Sequence, residues 1–255
     1  AETLSIYNIP SQAIWRAFEL EKLEELKSSF GFNPPILDIG CGDGLFSSMI
    51  FDKIDDGIDI NMKSVTRCRI ASCQTYKNVY YMDARSINLP SESYQTIFAN
   101  CVLEHIAEVD RVIFECYRLL KYNGKLIMTV PLVEMNRHLM FSGSWYIKMR
   151  QRQLSHINLF GESEWKKLLS GIGFRFIASF PYLPGSVCLL WDILDVPVCL
   201  GYSRFKVSAA VRMVVRALPH KERNFLLKEL ADLFKKYLDR CARDSYCASV
   251  IIATK

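Results

Sequence analysis

The sequence predicts an α/β fold in which a doubly wound, mostly parallel sheet of seven strands is covered by helices on both faces. Two patterns favour this class. Short apolar runs alternate with amphipathic helical stretches from Pro35 onward, which is typical of buried parallel strands. The first apolar run opens into ILDIGCGDG, with three glycines in five residues, where doubly wound sheets hold a ligand-binding turn.

The elements follow in order along the chain. Seven apolar segments are predicted as strands, at 36–40, 56–60, 78–84, 95–103, 125–131, 174–180 and 246–254. Apolar residues at helical spacing predict helices over 10–29, 45–52, 62–72, 107–120 and 162–170. Asn123-Gly124 is interpreted as a turn that leads into the fifth strand. Residues 132–160 show no clear period, and we expect them to be irregular.

We expect these elements to form a single domain over residues 1–255. Residues 1–33 are expected to be an N-terminal helical cap, 34–131 a ligand-binding core, and 132–160 a loop region beside it. The stretch 181–245 is longer than a connection between two strands needs. Because its apolar residues recur at helical spacing, we predict a helical insertion or lid between the last two strands.

Composition and charge exclude several classes. Apolar residues make up 50% and charged residues 23% of the chain, as in soluble globular enzymes. The N-terminal residues lack the pattern of a signal peptide. The most apolar run, residues 181–200, carries Asp192, Asp195 and three prolines, which disfavours a membrane span. We therefore expect a cytoplasmic protein.

The net charge of +5 is concentrated in one segment. Residues 201–223 hold six Lys and Arg against one Glu, and six minus one gives +5. A basic segment that follows an apolar one suits peripheral contact with an anionic membrane surface through 181–223. Packing as a lid, or against a second subunit in a homodimer, is the simpler explanation. Nine cysteines without a CxxC pair indicate reduced thiols and no metal site.

The glycine turn and two carboxylates predict the ligand. In Gly40-Cys41-Gly42-Asp43-Gly44 the third glycine arrives one residue earlier than in the dinucleotide pattern GxGxxG. Asp59 ends the second predicted strand, where a carboxylate can accept hydrogen bonds from a ribose diol. Asp83-Ala84 ends the third, at the expected edge of an adenine. These residues favour an adenosine ligand that needs no pyrophosphate cradle.

The ordered motifs DIGCGDG, GIDI, DARSINLP, FANCVLEHI and LLKYNGKLIMTVP resemble those of class I S-adenosylmethionine-dependent methyltransferases. The motif LEHI is similar to the small-molecule branch, type 11, that includes ubiquinone and natural-product enzymes. The resemblance is strong over 34–131 and weaker over 155–180. It implies a Rossmann-like sheet with an antiparallel last strand, S-adenosylmethionine as cofactor and S-adenosylhomocysteine as product.

The resemblance also implies roles for single residues. Near the methionine part of the cofactor it implies Asp38, Gly40, Cys41, Gly42, Gly44, Asn100 and Cys101. Near the ribose and adenine it implies Asp59, Ile60, Asp83 and Ala84. Simpler explanations exist for two of them, since Asp38 could brace the loop and Asp59 could cap the next helix.

Methyl transfer is an in-line displacement, so a base is needed only where the acceptor must lose a proton. His105 and His156 are the candidates, although either could instead orient a loop, and Glu104 is a further candidate. Basic and aromatic residues in 132–156 favour an anionic or partly apolar acceptor. We predict a small-molecule or lipid-linked acceptor. The alternatives are an RNA or protein methyltransferase and a non-catalytic S-adenosylmethionine-binding protein; nucleic acid is disfavoured because no recognition module accompanies the domain.

Overall fold

The structure, a computed structural model, describes Tyr7, residues 9–199 and residues 245–255. The chain divides into two compact units. The first contains the described residues of 1–21, 134–154 and 182–247, and the second contains 22–133, 155–181 and 248–255. All of the predicted site residues belong to the second unit, which therefore carries the functional argument.

The second unit is built on a seven-stranded sheet with the order β3-β2-β1-β4-β5-β7-β6. The strands are β1 Ile36–Ile39, β2 Ile54–Asp59, β3 Tyr76–Tyr81, β4 Tyr94–Asn100, β5 Leu120–Pro131, β6 Arg175–Pro181 and β7 Ala248–Thr254. Strands β1 to β5 pair in parallel, and β7 runs antiparallel to both β5 and β6. The predicted fold class, with its antiparallel last strand, is confirmed.

Seven α-helices lie in the described residues, at α1 Pro10–Phe30, α2 Ser47–Ile50, α3 Met62–Ala71, α4 Val109–Leu119, α5 Ser144–Leu154, α6 Glu162–Ile172 and α7 Gly185–Cys199. Two 3-10 helices span Leu103–His105 and Val133–Arg137. Helix α4 buries Val112, Cys116 and Leu119 completely, as its helical spacing predicts. Helix α3 begins after Asn61, whose side chain accepts from two backbone N–H groups of the first turn.

The order and direction of the strands determine where the site lies. Strand β1 pairs with β2 on one side and with β4 on the other, so the chain winds outward from β1 in both directions. Such a switch point leaves a crevice outside the carboxyl ends of the strands. The glycine turn after β1 and the loop after β4 border that crevice.

Several predicted boundaries were wrong. Strands β3 and β4 end at Tyr81 and Asn100, so Asp83, Ala84 and Cys101 lie in the loops beyond them. The helix predicted over 45–52 is only the short α2. The predicted turn at Asn123-Gly124 lies inside β5, where Asn123 has φ +60° and the pairing with β4 shifts register. Between the pairs Tyr94–Leu120 and Thr96–Lys125, β5 has three residues more than β4, so the pairing is interrupted there and then resumes.

The prediction that residues 132–160 are irregular was also wrong. A 3-10 helix over Val133–Arg137 and helix α5 lie within this stretch. The buried residues of α5 are Tyr146 and Arg150, four positions apart. Because one of the two is an arginine, a search for apolar periodicity does not find this helix.

The buried Arg150 organises the first unit. Its Nε lies 2.7 Å from Asp192 Oδ1 and its Nη2 lies 2.8 Å from Asp195 Oδ2. The carboxylate of Asp192 also accepts from the Tyr146 hydroxyl at 2.6 Å. A guanidinium and two carboxylates removed from water are tolerated only when they are paired in this way. Both aspartates lie on α7, so the charges that argued against a membrane span are buried ion-pair partners.

Part of the predicted insertion lies outside the described residues. Helix α7 is the beginning of the 181–245 segment. The basic segment 201–223, with the membrane contact predicted for it, falls in the gap between 199 and 245. None of the described helices is long and apolar enough to cross a bilayer. Seven cysteines whose side chains the structure describes are free, and five of these seven are buried.

Candidate functional site

The glycine turn after β1 is held in place by β2. The backbone N–H groups of Gly40 and Cys41 donate to the carbonyl of Ile58 at 2.8 and 3.0 Å. At Gly40, with φ +67°, a Cβ would lie 2.5 Å from a methyl group of Val102. At Gly42, with φ +58°, a Cβ would meet nothing within 4 Å. The turn therefore packs tightly at its first glycine and presents bare backbone to open space at its second.

Asp38 and Gly44 lie beneath the turn. The Asp38 carboxylate is 1% exposed and accepts from the Ser47 hydroxyl at 2.7 Å and from the Tyr76 hydroxyl at 2.5 Å. Burial raises the pKa of Asp38 to about 6, and the hydrogen bonds from Tyr76 and Ser47 oppose that shift. A Cβ on Gly44 would lie 2.7 Å from Cys68, Ser72 and Tyr76 atoms. Both residues therefore support the turn from below.

Cys41 also points away from the crevice. Its side chain is buried, and a thiol hydrogen bond with Cys68, together with burial, raises the pKa of Cys41 well above its ordinary value. The thiol is therefore neutral at physiological pH. Only the backbone of Cys41 is available to a ligand.

A pocket of about 430 Å³ opens at the carboxyl ends of the strands. The predicted site residues that line it are Gly40, Asp59, Ile60, Asp83, Ala84, Cys101 and His105. Seven further lining residues were missed by sequence reasoning: Ile58, Met82, Arg85, Val102, Ile106, Ala107 and Ile157. Asp38, Cys41, Gly42, Gly44, Asn100 and His156 lie outside this lining. A volume of this size suits a ligand of nucleoside dimensions.

Asp59 joins the glycine turn to the turn after β2. Its Oδ2 accepts from the Gly42 N–H at 2.9 Å, and its Oδ1 accepts from the Asn61 N–H at 2.7 Å. Each carboxylate oxygen has a second acceptor position, so the group can still receive two hydroxyl donors. Next to it, the Ile60 side chain is 61% exposed. The pair presents an acceptor and an apolar surface side by side.

Asp83 is already engaged by a neighbour. The side chain and the backbone N–H of Arg85 both donate to its carboxylate, and the shortest of these bonds is 2.6 Å, from Nη2 to Oδ2. These bonds lower the pKa of Asp83, and they raise the pKa of Arg85. Sequence reasoning missed Arg85 because side chains two residues apart in a loop follow no period.

Thr129 of β5 holds the end of β4. The Cys101 N–H donates to the Thr129 carbonyl at 3.1 Å and to its Oγ1 at 3.0 Å, while the Asn100 amide donates to the same Oγ1 at 2.7 Å. Cys101 has φ +49°, an unusual conformation for a residue with a Cβ. Thr129 fixes the turn that brings Cys101 into the pocket wall, and the sequence carried no signal for this role.

Three side chains converge beside the pocket after β4. His105 Nδ1 lies 3.1 Å from the Ser155 carbonyl oxygen. A carbonyl only accepts, so Nδ1 carries the proton and Nε2 of the neutral ring is the basic atom. That Nε2 lies 3.6 Å from the buried Glu104 Oε1. The His156 ring lies 5.3 Å from the His105 ring, centroid to centroid.

The cluster of Glu104, His105 and His156 can hold a proton or a metal ion. One ligand atom from each lies within 4.8 Å of the other two, and two imidazoles with a carboxylate form a common set of ligands for divalent transition metals. His105 and His156 were predicted as separate candidates, and the structure brings them together. The sequence analysis had predicted no metal site.

Asn158 holds the two segments of this cluster together. Its Nδ2 donates to the carbonyls of Leu103 and Ile106 at 2.8 and 2.7 Å. The Glu104 carbonyl accepts from the N–H groups of Ile157 and Asn158 at 2.7 and 3.0 Å. The 3-10 turn after β4 is therefore fastened to residues 155–158, and sequence reasoning had missed Asn158.

Comparison with known proteins matches residues 37–128 to the family model described as "Methyltransferase domain", type 11. Malonyl-[acyl-carrier protein] O-methyltransferase of a Paenibacillus species is 22% identical and is matched over 56% of both chains. Ubiquinone biosynthesis O-methyltransferase of Photobacterium profundum is 28% identical over 38% of this chain and 44% of that protein. Phosphatidylethanolamine N-methyltransferase of Cereibacter sphaeroides is 26% identical over 36% and 48%. The chain thus spans about half the length of these relatives.

Two solved structures illustrate the similarity of fold. A putative sarcosine dimethylglycine methyltransferase from Galdieria sulphuraria superposes with a TM-score of 0.62 at 16% identity, over 96% of this chain and 86% of that one. A phosphoethanolamine N-methyltransferase 2 from Haemonchus contortus, determined with phosphomonomethylethanolamine and S-adenosylhomocysteine, gives 0.57 at 17% identity, over 100% and 60%. At these identities the likeness concerns the fold alone.

Proposed function

Because the chain belongs to the class I S-adenosylmethionine-dependent methyltransferases of the type 11 branch, we propose that it is an enzyme that methylates a small-molecule or lipid-linked acceptor. The observation that carries the proposal is the bridge formed by Asp59. This carboxylate binds the N–H of Gly42 and lines the pocket at the switch point of the sheet. The glycine turn and a carboxylate that can accept hydrogen bonds from hydroxyl groups are thus joined directly.

The lining residues fit an adenosine with an attached amino acid. Asp59 keeps two acceptor positions for the ribose hydroxyls, and the exposed Ile60 offers its apolar surface to the adenine ring. Gly42 leaves open space above its backbone, where the amino-acid part can approach. Asp83 and Ala84 would meet the adenine edge, and Cys101 would lie beside the reacting end. Asp38 and Gly44 act from below, by holding the turn in shape.

When bound, S-adenosylmethionine supplies a methyl group on a positively charged sulfur. The residues of the chain align the acceptor with that methyl group and exclude water, which suffices for an acceptor that is already nucleophilic. For a hydroxyl acceptor, the proposal assigns the removal of the proton to His105 Nε2. The Ser155 carbonyl fixes the tautomer, and the Glu104 carboxylate stabilises the ring once it is charged.

The proposal covers methyl transfer to an oxygen or to a nitrogen atom of the acceptor. Two of the three relatives are named as O-methyltransferases and one as an N-methyltransferase, so both types of transfer occur among proteins similar to this chain. The basic and aromatic residues of 132–156 support an anionic or partly apolar acceptor. Peripheral contact with a membrane through 181–223, a cytoplasmic location and a homodimer remain predictions from the sequence. An RNA or protein acceptor, and cofactor binding without catalysis, are the alternatives.

Calorimetric titration with S-adenosylmethionine tests the cofactor site. The parent chain is expected to bind, and Asp59→Ala to lose at least about tenfold in affinity, because two charge-assisted hydrogen bonds to the ribose are removed. Asp110→Ala, on the exposed face of α4, is the matched control for loss of one carboxylate. If the parent chain does not bind the cofactor, the proposed function is wrong.

A methyl-transfer screen with radiolabelled cofactor tests the acceptor class. Extracts are separated into lipid, polar-metabolite, RNA and protein fractions, and label is expected in the first or second. Label confined to RNA or protein would overturn the proposed acceptor. Binding without label in any fraction would favour the non-catalytic alternative. A parallel assay with chelator, and with zinc added back, decides whether the cluster of Glu104, His105 and His156 works through a metal.

A further inference from the structure

The carboxylate of Asp83 has its hydrogen-bonding capacity filled by Arg85. The Arg85 N–H donates to Oδ1 at 2.9 Å, and Nε lies 3.1 Å from both oxygens. Nη2 lies 2.6 Å from Oδ2. Three N–H groups thus make four contacts, because the Nε–H is shared between the two oxygens. A carboxylate oxygen offers about two acceptor positions, so a further donor to either oxygen must displace at least the shared Nε contact from it.

The adenine amine is such a donor. Under the proposed function it approaches Asp83 from the pocket, which Asp83 and Arg85 both line. The ion pair is only partly covered, with about a third of each side chain exposed. The Arg85 guanidinium therefore has room to move while its stem stays in the wall.

Resting on the proposed function, we propose that Arg85 sets the affinity of the pocket for the adenine amine by competing with it for Asp83. In the ligand-free chain Arg85 occupies the carboxylate. When the amine arrives, Arg85 gives up at least one of its contacts with Asp83. Arg85 is therefore a specificity-determining residue that opposes binding until a ligand with a donor at this position displaces it.

Two ligands separate this competition from a general effect. The first is S-adenosylhomocysteine, and the second is its analogue with hydrogen in place of the 6-amino group. When the side-chain donors of Arg85 are removed, Asp83 becomes free to accept from the 6-amino group. Only the ligand that carries this group gains affinity. Arg85→Met, which keeps an unbranched apolar stem, is expected to bind S-adenosylhomocysteine about fivefold to tenfold more tightly, since a charge-assisted bond no longer has to be displaced. Its affinity for the analogue should stay within about twofold of the parent value.

The calorimetric outcomes are distinct. If the parent chain fails to bind S-adenosylhomocysteine, the proposed function fails. If it binds but Arg85→Met weakens the complex, or changes both ligands equally, only the competition is refuted, and Arg85 supports the pocket instead. Arg85→Lys is the second variant should Arg85→Met unfold. A lysine cannot make the two parallel bonds, so it should also tighten the amine-bearing ligand selectively, and weaker binding would again refute the competition.

Discussion

The buried carboxyl beneath the glycine turn should make the protein less stable as the pH rises. Burial raises the pKa of Asp38 from 3.8 to about 6. Between those two values the folded chain keeps a proton that the unfolded chain has released, so unfolding becomes easier as pH increases. The whole interval corresponds to about 3 kcal/mol. Of this, about 2 kcal/mol falls between pH 4.5 and pH 7.5.

Asp38→Asn isolates this contribution. The amide oxygen of asparagine can still accept from Ser47 and Tyr76, as the carboxylate does, but it does not ionise. The free energy of unfolding of the variant minus that of the parent should therefore increase by about 2 kcal/mol from pH 4.5 to pH 7.5. A constant cost of repacking the amide cancels in this difference.

Urea unfolding, followed by tryptophan fluorescence at four pH values in this range, measures the difference directly. Asp110→Asn, at an exposed position of α4, controls for the removal of one carboxyl group. Equal slopes of urea dependence in parent and variant are needed for the comparison. A difference that stays flat, or that shrinks as pH rises, would refute the view that burial dominates the environment of Asp38.

Two further predictions concern packing. Gly40→Ala should cost about 2–4 kcal/mol, because a Cβ would collide with Val102 at a strained backbone position; Gly42→Ala should cost only about 1 kcal/mol, from strain alone. Equal losses of thermal stability would contradict this assignment. In the first unit, Arg150→Met should cost about 3–5 kcal/mol by leaving Asp192 and Asp195 buried without their cation. Adding Asp192→Asn and Asp195→Asn should recover part of that loss in denaturant unfolding, and a further loss would argue against the ion-pair explanation.

Much of the site could be predicted because it depends on local order along the chain. Asp59 ends a strand and Ile60 follows it directly, so their place at the carboxyl edge of the sheet follows from the strand itself. Gly40 and Gly42 lie in a turn whose spacing excludes the dinucleotide pattern. The contact of Asp59 with the Gly42 N–H was not among the predictions.

Other residues could not be predicted because their partners are distant in the sequence. Thr129 acts on Cys101, and Asn158 acts on Leu103 and Ile106, through contacts that no periodicity records. Helix α5 escaped notice because the residue it buries is Arg150, whose partners lie more than forty positions away. Asp38 was expected to act at the ligand or to brace the loop, and its burial and its bonds to Ser47 and Tyr76 place it beneath the turn.

The sequence by itself determined the doubly wound sheet, its strand sequence and the ligand class, because strand periodicity, turn glycines and strand-end carboxylates are local properties of the chain. Only the tertiary structure decided which of these groups face the pocket and which are already engaged. His105 and Glu104 meet His156 because packing brings separate loops to one edge of the sheet, whereas Arg85 binds Asp83 within the single loop after β3. Hydrogen bonds then select the tautomer of His105 and limit what Asp83 can still accept.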